Sequence, residues 1–289
     1  MSRGKSGIIM GNKVDIIGIG AQKSATTWLY TCLSAHPQIR CSSKEEMNYF
    51  DDSLSYSKGI EWYHKHFEFG LWKTAEYSPT YFYDQDVPER IYKYNPHAKL
   101  ILSLRNPIDR AFSHYRHCLF SGYIPRGSGF WDTLENNPAM TEQGRYATNL
   151  KRFLGYFDIR QIQIILYDDI KTAPQMVVEK LFKFLEIDDS IKPAVTHKRV
   201  EVHQFVTSPL LHNLVSSAYI SMKKVFGNTF AKILKGSNAA ALYKKKCIVE
   251  FSKTIPLLSD NDRKRLLEIF MKDMQELSDI IGRDLSSWK

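Results

Sequence analysis

The chain has 289 residues, 43% of them hydrophobic and 25% charged, which is ordinary globular usage and excludes collagen-like, coiled-coil and disordered classes. A chain of this length buries a sizeable core without disulfides or metals. The net charge is +9, but residues 191–289 hold 17 Lys/Arg against 9 Asp/Glu, so nearly all of the excess lies in the last third.

The N-terminal segment MSRGKSGIIMGNK is basic, and its apolar run (Ile8, Ile9, Met10) is too short for a secretory core. No stretch approaches the ~20 apolar residues of a membrane span. The four cysteines (Cys32, Cys41, Cys118, Cys247) show no CxxC spacing. Reduced thiols fit a soluble, cytoplasmic protein.

In chain order, Val14–Ile19 reads as a buried strand, followed by a turn and a helix from about Thr26 to Ala35. Leu71–Tyr77 is a weaker strand and Asp86–Tyr94 a helix. Lys99–Arg105 (KLILSLR) is a strong buried strand, and Pro107 opens a helix reaching about Ser121. Arg145–Phe157 is helical by the spacing of Leu150, Phe153, Leu154 and Phe157, Gln161–Tyr167 is a strand, and Met176–Leu185 is a helix. Past Lys192 the strand signals fade, and 209–235 and 259–282 have amphipathic helical patterns, the latter closed by Gly282. Strands alternating with helices predict an α/β fold with a central parallel sheet. One domain is expected: a tail over 1–13, a core over 14–190 and a basic, mainly helical part over 191–289. In such sheets ligands bind beyond the carboxyl ends of the strands, which here are 20–27, 77–81 and 105–109.

The segment GIGAQKSATTWLY (Gly18–Tyr30) leaves a strand and enters a helix with one Lys and three hydroxyls (Ser24, Thr26, Thr27). A helix N-terminus presents unpaired N–H groups and a positive dipole end, which favour phosphate. The triphosphate loop GxxxxGK[ST] needs glycines where this chain has Ile17 and Gln22, so only Lys23–Ser24 match.

QKSATTWLY is similar to the 5′-phosphosulfate loop of sulfotransferases. These enzymes transfer a sulfuryl group from 3′-phosphoadenosine-5′-phosphosulfate (PAPS) to an acceptor and release 3′-phosphoadenosine-5′-phosphate (PAP). The resemblance covers residues 14–187 and implies a P-loop-like three-layer fold. It assigns Lys23, Ser24, Ala25, Thr26 and Thr27 to the donor phosphate, with Lys23 on the oxygen bridging sulfur and phosphate, and offers Trp28 for adenine stacking or for the core. Ala25 replaces a usual Gly, which helical torsions would tolerate.

KLILSLRNPIDRAFSHYRH (Lys99–His117) resembles the family's second anchor, in which Arg105 and Ser113 hold the donor 3′-phosphate; a fork of guanidinium N–H groups suits that anion. The competing reading pairs Arg105 with Asp109. Arg110 and Arg116 are expected in structural ion pairs. His114 and His117 stand at i, i+3 without a supporting ligand pattern, so no metal is expected.

SSKEEMNYF (Ser42–Phe50) resembles the Lys-Glu-x-x-[Phe/Tyr]-Phe segment of heparan-sulfate-type and bacterial members, which makes Glu46 the catalytic base, with Glu45 its competitor. AEYSPTYF (Ala75–Phe82) resembles a Glu-x-[Ser/Thr]-Pro-x-Tyr segment in which glycosaminoglycan enzymes often carry Lys where this chain has Tyr77. Tyr146 matches a helix tyrosine near the donor, with a core role as the alternative. Thr196–Gln204 falls where the family closes a basic loop over the donor, which nominates Lys198 and Arg199. Residues 221–253 hold eight Lys and one Glu interleaved with apolar residues, fitting either an anionic surface or a solvated helix face.

The resemblance implies a sulfotransferase acting on an acceptor hydroxyl, of a carbohydrate or glycoconjugate, or else of a lipid, phenol or carrier-bound metabolite. A P-loop kinase or NTPase is the second reading, separable by ATP hydrolysis. A binder of nucleic acid or anionic polymer ranks last, because no zinc finger or RNA-binding aromatic motif is present.

Overall fold

A computed structural model of the protein describes residues 12–51, 53–125, 127–194, 204–206, 248–250 and 257–288. The chain divides into two compact units, Met1–Tyr115 with Gly129–Arg199 and Asp260–Lys289, and Arg116–Ser128 with Val200–Ser259. In the second unit the described elements include a short antiparallel pair, β6 (Gln204–Val206) with β7 (Ile248–Glu250).

The first unit holds a five-stranded parallel sheet: β1 (Ile16–Gly20), β2 (Ile39–Cys41), β3 (Lys73–Tyr77), β4 (Lys99–Leu104) and β5 (Ile162–Leu166), in the order β2-β3-β1-β4-β5. β1, β4 and β5 are runs of Ile and Leu because both faces of the sheet are covered. The helices are α1 (Thr26–Ser34), α2 (Ser53–Tyr56), α3 (Ile60–His64), α4 (Val87–Tyr94), α5 (Pro107–Ser121), α6 (Phe130–Asn136), α7 (Ala139–Glu142), α8 (Tyr146–Leu154), α9 (Tyr167–Thr172), α10 (Pro174–Leu185) and α11 (Asp260–Ile281). The last of these matches the amphipathic pattern over 259–282 and stops where Gly282 takes φ +63°.

On one face, α1 buries Trp28, Leu29, Cys32 and Leu33, and α10 buries Val177, Val178, Leu181, Phe182 and Leu185, against Ile16, Ile101 and Ile165. The stripe on α1 recurs at i, i+1, i+4, i+5, as one buried helix face requires. The other face carries α8, where Phe82 stacks on Phe153, and α11 covers α8 with Leu266, Phe270, Met274 and Leu277. At this crossing Asp273, 6% exposed, accepts hydrogen bonds from Ala147 N, Thr148 N and Thr148 Oγ1 at 2.9–3.0 Å.

β1 lies between β3 and β4, so the connection from β3 to β4 crosses it and opens a crevice at the carboxyl edge. The main chain continues to pair there: Ser78 N bonds Gly18 O, Phe82 N bonds Ile19 O and Ala21 N bonds Ser103 O, each at 2.8 Å. Two glycines permit this approach. A Cβ on Gly18 would lie 2.2 Å from the Tyr77 ring, and one on Gly20 would lie 2.8 Å from Pro79 O. Among the described residues no helix is long and apolar enough to cross a membrane, and Cys32, Cys41 and Cys118 form no disulfide.

Candidate active site

Three segments meet at this carboxyl edge. The first is the turn from β1 into α1. Lys23 has φ 68° and Ala25 has φ 67°, both left-handed, with the fully buried Ser24 between them. Ala25 therefore does not have the helical torsions that would make an alanine costless; the helix starts one residue later, at Thr26. A left-handed alanine costs ~1–2 kcal/mol relative to its relaxed conformation, which is the physical reason a glycine suits this place. No side chain caps α1, so the first-turn amides remain available at the crevice. Trp28 is 5% exposed and packed in the core cluster, which is the core alternative for this residue.

The second segment follows β4. The Arg105 guanidinium lies 4.8 Å over the Tyr167 ring, and its buried Nε has no hydrogen-bond partner. It does not pair with Asp109, which bonds Arg263 at 2.8 Å instead. Tyr146 is fully buried and donates its hydroxyl to Arg105 O at 2.8 Å, with the Ser24 hydroxyl beside it. Burial pushes the Tyr146 phenol up to about 12, so it stays a donor. Tyr146 thus ties α8 to the Arg105 turn. The C-terminal Trp288 closes the same turn: its carbonyl accepts from Asn106 Nδ2 at 3.0 Å and its indole N–H donates to Asp168 at 2.9 Å. Ser113 is half-buried on α5, two turns in. Arg110 departs from the expected ion pair. It is fully buried and donates to Met140 O and Gln143 Oε1, capping the end of α7, and burial lowers its pKa.

The third segment is the loop from 42 to 51. Ser42 N bonds Ala75 O at 2.9 Å and Ser43 N bonds His66 O at 2.8 Å, which anchors its start. Its end is anchored by side chains of the turn after β3. Asn48 N donates to Ser78 Oγ at 3.0 Å, and Tyr49 N and Phe50 N donate to the Tyr81 hydroxyl at 2.8 and 3.2 Å. Glu46 lies between these anchors and keeps solvent contact. Partial burial raises its pKa, as do the charges of Glu45 and Asp51, while Lys23 and Lys44 pull it down. Lys23 and Glu46 therefore feel each other across the crevice.

Tyr77 points away from this opening. It is 1% exposed, its ring covers Gly18 and its hydroxyl donates to Gly20 O at 3.1 Å. Lys198, Arg199 and the basic stretch 221–253 lie outside the described residues, as does the pattern over 209–235. Among the described residues no group of three or more His, Cys, Asp or Glu is placed to hold a metal ion.

The model of the sulfotransferase domain matches residues 13–226. The chain belongs to the sulfotransferase domain family. Heparan sulfate glucosamine 3-O-sulfotransferase 5 of Mus musculus is 34% identical over 186 residues, 60% of this chain and 53% of that protein. The bifunctional heparan sulfate N-deacetylase/N-sulfotransferase 1 of Caenorhabditis elegans is 30% identical over 190 residues, 61% of this chain and 22% of that protein. The chain thus spans about half the length of the first relative and less of the second. Among solved structures, a sulfotransferase from Alicyclobacillus acidocaldarius shares the fold with TM-score 0.69 at 22% identity, over 96% of this chain and 99% of that one. A mouse sulfotransferase complexed with PAP shares it with TM-score 0.52 at 15% identity, over 91% and 85% of the two chains. For a sulfotransferase domain, two of the residues that the sequence could not place gain a position: Asn106 and Trp288 frame the Arg105 turn. No sequence pattern joins them, since 182 residues separate them.

Proposed function

We propose that this sulfotransferase domain transfers a sulfuryl group from PAPS to an acceptor hydroxyl, of a carbohydrate or glycoconjugate, and releases PAP. The observation that supports the reading is the electrostatic coupling of Glu46 to Lys23 at the carboxyl edge of the sheet, the edge where Arg105 follows β4. The residues suit a nucleotide with separate 3′- and 5′-phosphates. The uncapped start of α1, with Ser24, Thr26 and Thr27, serves the 5′-phosphate. Arg105 offers a buried N–H without a partner, and a guanidinium fork with the Ser113 hydroxyl serves the 3′-phosphate.

Glu46 takes the proton of the acceptor hydroxyl. That oxygen forms a bond to sulfur as the bond between sulfur and the bridging phosphate oxygen breaks, and Lys23 neutralises the charge that grows on the bridging oxygen. The raised pKa of Glu46 makes it a stronger base than an ordinary carboxylate. Tyr146 holds the Arg105 carbonyl and so sets the side chain's origin. Glycan relatives support a carbohydrate acceptor, and the free thiols of the described Cys32, Cys41 and Cys118 support a cytoplasmic location within the same proposal.

Calorimetric titration with PAP, and with AMP and ATP as controls, tests the donor site. PAP is expected to bind far tighter than AMP. Arg105→Ala is expected to weaken PAP by roughly 10- to 100-fold, the worth of a charged hydrogen-bond set, with AMP unchanged. Equal binding of PAP and AMP to the unmodified chain would refute the donor assignment.

A further inference from the structure

Glu76 ends no known task in the proposed chemistry, yet it is a fully buried carboxyl in the strand next to the phosphate loop. Three hydroxyls converge on it. Tyr63 donates to Oε1 at 2.5 Å, Ser78 donates to Oε2 at 2.9 Å, and Tyr81 lies 3.2 and 3.3 Å from the two oxygens.

The direction of these bonds follows from counting protons. The Tyr81 oxygen already accepts from Tyr49 N and Phe50 N, so its one proton is left for Glu76. The Ser78 oxygen accepts from Asn48 N, so its proton also goes to Glu76. Two chains of hydrogen bonds therefore run from the amides of residues 48–50, through hydroxyls, into one carboxyl group. Their far end is the segment immediately after Glu46. Only an ionised carboxylate accepts on both oxygens without offering a proton of its own. A protonated carboxyl, or an amide, brings a donor into a cage of donors and turns at least one of them away.

We infer that Glu76 is a positioning residue for Glu46: as a carboxylate it polarises Ser78 and Tyr81 to hold the amides of Asn48, Tyr49 and Phe50, and protonation of Glu76 releases that hold. This inference rests on the reading of Glu46 as the base. The groups acting on Glu76 are Tyr63 on α3, whose neighbour His64 contacts the Tyr94 hydroxyl, Tyr94 on α4, Asp51 at the loop end, and Ser78 and Tyr81 after β3. Arg90 spends its guanidinium on Phe50 O at 2.6 Å and on Asp86 at 3.0 Å. Burial pushes the Glu76 carboxyl up to about 7 against the pull of the three hydroxyls, with Asp51 adding to the rise. The hold on the base loop is therefore complete on the alkaline side of neutrality and is lost on the acid side.

Amide hydrogen exchange, corrected for intrinsic rates, tests this without any acceptor. In the unmodified chain, protection of residues 48–50 is expected to be about tenfold greater at about pH 8 than at about pH 6, with β1 and β4 unchanged. Glu76→Gln is expected to show the low protection at both values, to bind PAP within about twofold of the unmodified chain, and to lower kcat about tenfold with little change in KM for PAPS. Tyr81→Phe, which removes the acceptor of two amides, provides a second variant should Glu76→Gln fail to fold. Protection at 48–50 that is independent of pH in the unmodified chain, or unchanged in a folded variant, overturns the inference. Failure of the base assignment is separate: Glu46→Gln with full turnover refutes the base while leaving the exchange result to stand or fall alone.

Discussion

Removing the Asp273 carboxylate tests how the C-terminal helix supports the donor site. Helix α8 begins at Tyr146 with Arg145 as its cap residue, and no side chain of its own segment caps it. Asp273, from α11, replaces the missing cap: its two oxygens take Ala147 N, Thr148 N and Thr148 Oγ1 at 2.9, 3.0 and 2.9 Å. The negative charge also faces the positive end of the α8 dipole. Asp273→Ala removes a cap worth ~1 kcal/mol and leaves the buried Ala147 amide and the part-buried Thr148 amide without protein partners, at ~1–3 kcal/mol for the first and less for the second. The terms overlap, so the expected cost is about 3–4 kcal/mol, or a fall in Tm of roughly 10 °C. Asp273→Asn keeps one acceptor but loses the charge and adds donors facing donors, and is expected to cost about 2 kcal/mol. Because α8 carries Tyr146, which bonds the Arg105 carbonyl, fraying of its first turn should also weaken PAP binding about tenfold. Denaturant unfolding followed by tryptophan fluorescence, with PAP titration on the same samples, measures both. A cost below about 1 kcal/mol, or unaltered PAP affinity in a destabilised variant, would refute the linkage drawn from α11 through α8 to Arg105.

Lys23→Ala is expected to lower kcat about 10²–10³-fold while changing PAP affinity much less, because the leaving-oxygen charge exists only in the transition state; equal losses in both would reassign Lys23 to ground-state binding. Stability should also depend on pH through Glu76. Its folded pKa is raised to about 7, so the proton-linked stability is fully present below the ordinary carboxylate range and is lost as pH rises through about 7. Comparing the unmodified chain with Glu76→Gln cancels the other carboxylates, and their stability difference should shift by roughly 3 kcal/mol in favour of Gln between about pH 4 and pH 8. A difference that is flat across this window would place the Glu76 titration elsewhere.

The strands most legible in the sequence are those richest in Ile and Leu, while the weaker strand expected over Leu71–Tyr77 forms as β3 over Lys73–Tyr77. β1, β4 and β5 announce themselves as Ile/Leu-rich runs, the helix over 107–121 by Pro107 at its start, and the helices over 26–34, 174–185 and 260–281 by their apolar patterns. β2 was not legible, because Ile39-Arg40-Cys41 is three residues long with one apolar side chain turned inward. The helices α2, α3, α7 and α9 are each six residues or fewer, too short for a repeating stripe. The phosphate loop was legible as chemistry but not as geometry. Its Lys and hydroxyls mark an anion site, whereas the left-handed Ala25 depends on where the helix starts, which patterns fix only to within a residue or two. The supports were not legible at all. Asp273 serves amides 125 and 126 positions away and Glu76 reaches the base loop through hydroxyls; neither leaves a local signature.

The placement of Tyr77 bears on what the crevice accepts. The strand alternation that aims Glu76 at the base loop sends the next side chain to the opposite face. There Tyr77 packs over Gly18 and within the α1–α10 core, with its hydroxyl on Gly20 O. A lysine at this place would have to carry its ammonium into that core or thread it toward the phosphate loop. The chain has instead filled the position with a phenol pushed far up in pKa by burial, which adds no charge. The cations placed at the described crevice are thus Lys23 and Arg105, both committed to donor phosphates in the proposed chemistry. Among the described residues, the exposed rim of the base loop lies beside Glu46, where the preceding Lys44 and Glu45 act on its carboxyl in opposite directions. In the proposed reaction, the described rim therefore meets the acceptor hydroxyl with offsetting charges rather than with a row of fixed cations.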